Sequence, residues 1–193
     1  MRSDYLYGEQ IEYDIDLVKP EDYKLLQAFS CGNEQLDCFI HNELIQNNEV
    51  DSEDGLAYKV FDKKDGSLLA IFSLAASGIV VRMDTYMHVF PAIKIDVLAV
   101  DTQYQKFHIN KMSESSANPE DHFYFSDSVL CEIIKRCREI AENWATARFI
   151  VLYADKKARR YYERNMFNDF SEFMEKENNS EIRENDPMYL ILD

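Results

Sequence analysis

The spacing of apolar residues at the start of the chain predicts one strand followed by two helices. Residues 11–18 alternate apolar and acidic side chains with a period of two, which is typical of a half-buried strand. Lys19-Pro20 ends this strand, and the apolar residues 23–29 are expected to form a first helix. Asn33 can cap a second helix, in which four apolar residues recur at helical spacing: Leu36, Phe39, Ile40 and Leu44.

A β-hairpin and a long strand are predicted next. Residues 57–61 and 67–77 are rich in β-forming side chains, and Gly66 between them can adopt the positive φ that a hairpin turn needs. A less regular segment follows and continues to Pro91. Residues 92–101 then form a long apolar strand, in which Asp96 is the one charge expected to face inward.

The second half of the chain alternates helices and strands. Residues 128–144 carry one continuous apolar stripe at helical spacing, so this helix must pack on a sheet. A strand over residues 149–153, a helix over 156–165 and a short strand over 189–192 complete the order. The pattern predicts an α/β domain without internal repeats.

Length and composition indicate a globular protein. At 193 residues the chain fits one domain spanning residues 1–193, because domains commonly hold roughly 100 to 200 residues. The N-terminal residues lack the apolar core of a signal peptide, and no run approaches the ~20 apolar residues of a membrane span. We therefore expect a cytoplasmic protein with no membrane partner.

The cysteines and histidines are too scattered to predict a metal site or a disulfide framework. Cys31, Cys38, Cys131 and Cys137 include no CxxC pair, and none of the four histidines pairs with another at an i,i+4 spacing. We expect reduced, buried thiols and no metal.

The charge balance favours cationic partners. The net charge of −15 comes from 36 acidic and 21 basic residues, so the field of the protein repels phosphate backbones and attracts cations. This predicts no nucleic-acid partner. For any single acidic run, such as residues 49–54, solubility is the simpler explanation.

An apolar strand that runs directly into a helix, residues 147–167, resembles the last βα unit of the GNAT superfamily of acyl-CoA N-acyltransferases. The family pattern Asn-x-x-Ala-x-x-Phe-Tyr-x-x-x-Gly-Phe corresponds here to Asp155, Ala158, Tyr161, Tyr162, Met166 and Phe167. The chain departs from it where Asp155 replaces asparagine and Met166 replaces glycine. In that family the tyrosine matched by Tyr162 hydrogen-bonds the thiol leaving group.

Two further segments resemble the same superfamily. The strand ending in Leu-Ala-Val-Asp101, followed by Tyr104-Gln105, is similar to the fourth strand of the fold and the turn after it. The run Cys31-Gly-Asn-Glu-Gln-Leu-Asp37 resembles the opening helix of a branch that includes toxin-like transferases. Together the matches span residues 29–192, and the element order is also that of the family.

The resemblance implies a GNAT-like fold, a central mixed β-sheet flanked by helices, and acetyl-CoA as the co-substrate. It implies an N-acetyltransferase that transfers acetyl to a primary amine of a cationic small molecule or protein. Tyr162 would donate a proton to the departing thiolate, the alternative being an aromatic packed in the core. Backbone N–H groups near Leu98, Ala99 and Val100 would orient the pantetheine arm. Gln105, Asp155 and Ala158 match further positions of the cofactor-binding motifs.

The phosphate-binding part of the family pattern is missing. After Gln105 the family has glycines that let backbone N–H groups approach the pyrophosphate, whereas this chain has His108 and Asn110. Ser126 or Ser128 capping the next helix would offer a substitute anion site, although Asp127 opposes it by its charge. Lys106 and Lys111 would add compensating charge, or are ordinary solvated lysines.

An amine acceptor must lose a proton before it attacks the thioester, so the reaction needs a base. Asp96 is the candidate, and a carboxylate that merely lies at the edge of the strand is the alternative. The opposing interpretation of the whole chain is a degenerate GNAT-like module that has lost CoA binding and serves in binding or regulation. A toxin that acylates aminoacyl-tRNA is a third interpretation, which the acidic balance disfavours. A homodimer is possible in each case.

Overall fold

A computed structural model describes residues 11–47, 49–51, 55–82, 85–109, 122–143, 146–171 and 185–192. The strands in these ranges are β1 (Tyr13–Leu17), β2 (Ile45–Gln46), β3 (Glu49–Val50), β4 (Leu56–Asp62), β5 (Leu68–Arg82), β6 (Met87–Val100), β7 (Phe149–Asp155), β8 (Asn168–Asp169) and β9 (Asn185–Ile191). The α-helices are α1 (Tyr23–Ala28), α2 (Glu34–Asn42), α3 (Phe125–Asn143) and α4 (Arg159–Arg164), and a 3-10 turn covers Pro20–Asp22.

The main sheet has seven strands in the order β1-β4-β5-β6-β7-β9-β8, and β2 and β3 form a separate hairpin. The β1–β4, β7–β9 and β8–β9 pairs are antiparallel, whereas β6 and β7 are parallel. A mixed sheet with helices is the architecture that the element order predicts, and that prediction is confirmed.

The chain divides into two compact units. The first comprises residues 1–73 and 97–132, and the second comprises residues 74–96 and 133–193. Strands β5 and β6 and helix α3 contribute residues to both units, so neither unit is a continuous segment of sequence. The single domain over residues 1–193 stays a prediction.

The core of the first unit lies between its two short helices and its strands. Leu26 from α1 and Ile40 from α2 belong to one buried cluster with Ile71 of β5 and with Val97 and Ala99 of β6. Val97 and Ala99 are two residues apart, so they face the same side of the strand. The amphipathic pattern that predicted α1 and α2 therefore corresponds to burial against the sheet.

The first unit also contains a largely buried ion pair. Lys59 on β4 donates from Nζ to Asp22 Oδ1 at 2.5 Å, and the two side chains are 13% and 7% exposed. Asp22 Oδ2 accepts the backbone N–H of Lys19 at 2.8 Å, so the same carboxylate also caps the 3-10 turn. One acidic side chain thus holds the start of the helical region against β4.

Strand β1 lies at the edge of the sheet, where exposed backbone groups can pair with another chain. Asp14 Oδ1 accepts the N–H of Ile15 at 3.2 Å, and Asp16 Oδ1 accepts the N–H of Leu17 at 2.9 Å. The acidic residues of the alternating pattern therefore occupy donors of the edge strand and add charge to it. This arrangement disfavours the addition of a further strand at β1.

The hairpin and the α2 cap are found where the sequence predicts them. Asp62 and Ser67 close the turn between β4 and β5, and Gly66 has φ +76°. The Asn33 side chain accepts the N–H groups of Gln35 at 3.0 Å and Leu36 at 3.3 Å. Both predictions are confirmed because each rests on a local backbone requirement.

Several predicted boundaries are wrong, among them that of the last strand, which begins at Asn185 and not at Tyr189. Much of the segment described as less regular before Pro91 is strand, because β5 continues to Arg82 and β6 begins at Met87. Helix α3 begins at Phe125, three residues before the predicted start at Ser128. Helix α4 begins at Arg159 because turns occupy residues 156–158.

Two of the four thiols are buried, which confirms only half of the prediction. Cys31 and Cys137 are buried, and burial raises the pKa of these thiols to about 11 and about 12. Cys38 and Cys131 are exposed and free. The described residues include no helix that is long and apolar enough to cross a membrane, and no cluster of three or more metal-ligating side chains.

Candidate active site

Tyr162 is a buried phenol in helix α4. Its ring packs edge-on against Tyr161, with centroids 5.1 Å apart, and against Phe167 at 5.6 Å. Burial raises the pKa of Tyr162 well above its ordinary value, so the hydroxyl keeps its proton. The part of the chain that the structure describes provides no hydrogen-bonding partner for this hydroxyl. No fully buried side-chain oxygen or nitrogen of the described residues lacks a partner, so the Tyr162 hydroxyl, although its ring is buried, is accessible at its oxygen and can donate to a ligand.

Backbone and side-chain hydrogen bonds at the end of β7 position this helix. Asp155 Oδ1 accepts the N–H of Lys157 at 2.7 Å, and the Asp155 carbonyl accepts the N–H of Ala158 at 2.8 Å. The Ala158 carbonyl in turn accepts the N–H groups of Tyr161 and Tyr162, which starts α4. Aspartate supplies the same acceptor oxygen to this turn as asparagine does, so the departure from the family pattern preserves the turn.

Met166 lies where the family pattern has glycine, in the left-handed conformation with φ +69°. Its N–H bonds to the Glu163 carbonyl at 3.1 Å, and the N–H of Phe167 bonds to the Tyr162 carbonyl at 3.1 Å. These two bonds and the contact between the Phe167 and Tyr162 rings form a Schellman motif. The backbone thus requires the conformation that glycine adopts without strain, and methionine adopts it here.

We predict that Met166→Gly stabilises the protein. The methionine side chain is 74% exposed, so its removal costs little burial, while the left-handed strain is relieved. Glycine also gives the unfolded chain more conformational freedom, which offsets part of this effect. The net increase in the free energy of unfolding is about 1 kcal/mol, which raises Tm by roughly 2 to 4 °C. Thermal unfolding measures it. Arg160→Gly, an exposed change inside α4, is the control and should lower stability by a similar amount. A lower Tm for Met166→Gly would contradict the prediction.

A guanidinium group ties α4 to the strands beside it. Arg159 binds Glu163 in its own helix through Nε at 2.7 Å. Its Nη1 lies 2.8 Å from Asp169 on β8 and 3.4 Å from Asp186 on β9. Sequence reasoning missed this network, because its carboxylates come from three separate elements.

Asp96, the proposed base, lies on β6 in the second unit and forms an ion pair with Lys94. The Lys94 ammonium also lies over the ring of Tyr153, 5.4 Å from its centroid. Both members of the pair are about a quarter exposed at the side chain. Asp96 is therefore reachable from solvent, and any cation that approaches it competes with Lys94.

The parallel pairing of β6 and β7 covers only a short part of the two strands. Ala92, Ile93 and Lys94 are opposite Phe149, Ile150 and Val151, and the described pairing stops there. Strand β7 pairs with β9 along its whole length, Phe149 to Asp155. After Val151, the backbone groups of β7 that face β6 therefore take no part in the described pairing between these two strands.

The remaining predicted residues belong to the first unit. At the end of β6, Ala99 and Val100 are buried and Leu98 is partly buried. Gln105 Nε2 donates to the Val100 carbonyl at 2.9 Å and to the Cys31 carbonyl at 2.7 Å. The Gln105 amide thus binds protein backbone, and Lys106 beside it is exposed.

The Cys31–Asp37 run and the turn after β6 lie together, a relation that the sequence does not reveal. Asp37 accepts the N–H of Cys31 at 2.8 Å and the hydroxyl of Ser30 at 2.7 Å. Although burial acts to raise it, these hydrogen bonds hold the pKa of Asp37 below its usual value. The N–H of Thr102 bonds to the Ser30 carbonyl at 3.0 Å. Together with Gln105, these bonds fix the end of β6 to the start of α2.

The serines predicted to cap α3 do not cap it, because the helix begins before them at Phe125. The N–H of Phe125 bonds to the Phe107 carbonyl at 2.8 Å, and those of Asp127 and Ser128 bond to the Tyr124 carbonyl. Asp127 is buried and accepts the N–H of Tyr124 at 2.8 Å. The Ser128 hydroxyl lies 2.9 Å from Tyr13 Oη, and Ser126 is in the first turn.

The start of α3 therefore offers few backbone donors for an anion. The residues on either side of the predicted phosphate loop pair with each other, because His108 and Tyr124 form an antiparallel bridge. Asn110 and Lys111 lie outside the described residues. The substitute phosphate site based on serine caps is a prediction that this geometry does not support.

The sheet and its helices define a GNAT-like fold. The chain is similar to a crystal structure of a bacterial toxin, with 19% identity and a TM-score of 0.66 over 94% of this chain and 91% of that one. It is similar to a tyrosine-to-phenylalanine mutant of the AtaT toxin, bound to the C-terminus of the antitoxin AtaR and acetyl-CoA. That match has 14% identity and a TM-score of 0.63, covering 93% of each chain.

AtaT complexed with acetyl-methionyl-tRNAfMet is also similar, with 15% identity and a TM-score of 0.62 over 93% of this chain and 95% of that one. No protein-family description and no curated protein matches the chain by sequence. At these identities the similarity shows the fold.

Proposed function

We propose that this chain is an acetyl-CoA-dependent N-acetyltransferase that transfers acetyl to a primary amine. The observation that carries the proposal is Tyr162, a buried phenol without a described hydrogen-bonding partner, on the helix that follows a parallel strand. The tyrosine matched by the motif thus stays protonated, which supports a role as a hydrogen-bond donor to the leaving group. Fold similarity to a toxin bound to acetyl-CoA adds support.

In the proposed reaction the amine nitrogen attacks the thioester carbonyl and forms a tetrahedral intermediate. Collapse of the intermediate breaks the carbon–sulfur bond, and Tyr162 Oη keeps its proton and donates a hydrogen bond to the departing thiolate, which then takes up a proton from water. The proton lost by the amine goes to Asp96, directly or through water. Because Lys94 already pairs with Asp96, an incoming ammonium must displace it from the carboxylate.

The acceptor is proposed to be a primary amine on a cationic small molecule or protein, since the net charge of −15 attracts cations. The prediction of no nucleic-acid partner is not supported by the comparisons, since one similar structure is AtaT complexed with acetyl-methionyl-tRNAfMet and another is a KacTA–DNA complex. The amino group of an aminoacyl-tRNA is itself a primary amine, so an acceptor screen must include it.

A second candidate is a GNAT-like module that does not bind CoA. One observation favours it: the first N–H groups of α3 bond to protein carbonyls, and the glycines of the family's phosphate loop are replaced. Under this candidate, the pyrophosphate of CoA would find no backbone cradle in the first unit.

Calorimetric titration with acetyl-CoA and with desulfo-CoA separates the two candidates. The enzyme is expected to bind both ligands and then to release free thiol when a polyamine, a lysine peptide or an aminoacyl-tRNA is added with acetyl-CoA. Absence of binding at millimolar CoA would contradict the enzyme and favour the module. If acetyl-CoA binds but no free thiol is released with any of these acceptors, the protein recognises CoA but does not acetylate these classes of amine.

A further inference from the structure

Strands β5 and β6 extend well beyond the strands that pair with them. The β4–β5 turn closes between Asp62 and Ser67, so β4, which starts at Leu56, reaches no further along β5 than Ser73. On the other side, the described pairing of β6 with β7 begins only at Ala92. Residues 74–82 and 87–91, called the ribbon from here on, therefore have no strand beside their outer edges in the part of the chain that the structure describes.

The ribbon is anchored at its base and exposed beyond it. Ile79 packs against the buried cluster of Ala92, Val151 and Phe170, and the Phe90 ring lies 6.0 Å from that of Phe149. The large apolar side chains of the ribbon beyond these anchors are exposed, namely Val80 56%, Val81 37%, Met87 68% and Val89 56%, and so is Tyr86 at 58%, which immediately precedes β6. Successive residues of a strand point to opposite faces, so both faces of the ribbon present apolar surface.

A two-stranded ribbon of this kind is unfavourable in isolation. It combines open backbone edges with exposed apolar side chains, and two paired strands alone are at best marginally stable in water. Proteins usually protect such an edge with charge, as Asp14 and Asp16 do on β1. The ribbon lacks this protection, because Arg82 is the one charged residue in it.

Charge distribution indicates what covers the ribbon. Residues 67–93 contain two charged side chains, Arg82 and Asp84, and so carry no net charge in a chain whose total is −15. Two copies of the protein repel one another elsewhere, but not at this uncharged segment. A polyanion or a polycation, in contrast, would find no complementary charge there. An apolar surface with open edges is complementary to itself.

We propose that the ribbon is a homodimer interface, in which a second copy places its own ribbon against this one about a two-fold axis. The open edges pair as antiparallel strands, which satisfies the backbone groups of both copies and buries the exposed valines, Tyr86 and Met87. This inference is independent of the proposed catalytic function, because it uses no residue of the candidate active site.

The mass of the protein in solution tests the proposal. Light scattering or sedimentation equilibrium of the full chain, between about 1 and 100 μM, should give twice the monomer mass of 22.7 kDa at the upper end. Val80→Glu with Met87→Glu should raise the dimer dissociation constant at least tenfold. Both side chains are exposed in the monomer, so the variant should keep its fold, and circular dichroism verifies this.

Ile191→Glu is the matched control, because Ile191 is a similarly exposed apolar residue on β9, outside the ribbon. It should dimerise like the wild type. Hydrogen exchange gives a second measurement: amides of residues 74–81 and 87–90 should exchange more slowly as protein concentration rises. A wild type that stays monomeric throughout this range, or a dimer that the Val80/Met87 double variant forms as readily, would overturn the proposal.

Discussion

Replacing Tyr162 with phenylalanine will lower kcat for acetyl transfer by about 10²-fold and leave the affinity for acetyl-CoA almost unchanged. The change removes one hydroxyl, which donates to the leaving thiolate only as the carbon–sulfur bond breaks. The ring contacts with Tyr161 and Phe167 are retained, so helix α4 should keep its position. Steady-state thiol release and a binding titration measure the two quantities separately.

Tyr161→Phe is the matched control, because it makes the same chemical change one residue earlier. It is expected to retain most of the activity. Since burial raises the pKa of Tyr162, the phenol stays protonated between about pH 6 and 9, and Tyr162 should cause no alkaline decline of the wild-type rate in that range. An unchanged kcat in Tyr162→Phe would make this residue a core aromatic.

Lys59→Met will destabilise the protein by about 3 kcal/mol or more. The methionine fills a similar volume but leaves the Asp22 carboxylate largely buried without its cation, and removal of one partner from a buried pair is strongly unfavourable. Urea unfolding monitored by circular dichroism measures the free energy. A loss below 1 kcal/mol would show that solvent reaches Asp22 more easily than its exposure suggests.

Combining Lys59→Met with Asp22→Asn provides the control. Asparagine removes the unpaired charge but keeps an oxygen that can accept the Lys19 N–H, so the 3-10 turn keeps its cap. The double variant should therefore be more stable than Lys59→Met alone. If it is less stable, the ion pair is not the source of the loss.

The parts of the fold that the sequence predicts are those with local signals. The Asn33 cap and the Gly66 turn each depend on residues within a few positions of one another. The distal parts of β5 and β6 were not predicted because they are exposed on both faces, so no alternation of apolar and polar residues identifies them. Helix α3 starts early because Asp127 binds the backbone of Tyr124, a residue that is not a usual cap.

In the candidate site, too, local signals could be predicted from the sequence and long-range contacts could not. The motif around Tyr162 could be predicted because turn, helix and cap follow one another within 13 residues, from Asp155 to Phe167. The bond from Gln105 to the Cys31 carbonyl joins positions 74 residues apart, and no spacing rule indicates such a pair. Likewise, Lys94 can be recognised as the partner of Asp96 only when residues 94–96 are known to be in a strand, where residues two apart share a face.

The two motifs that resemble the family are attached by different kinds of interaction, which implies different responses to ionic strength. Helix α4 is tied to β8 and β9 by the partly exposed guanidinium of Arg159, and such ion pairs weaken as salt screens them. The turn after β6 is fixed to the start of α2 by the neutral amide of Gln105 and by backbone bonds, which salt affects little. High salt should therefore loosen the helix that bears Tyr162 at a concentration where the end of β6 stays ordered.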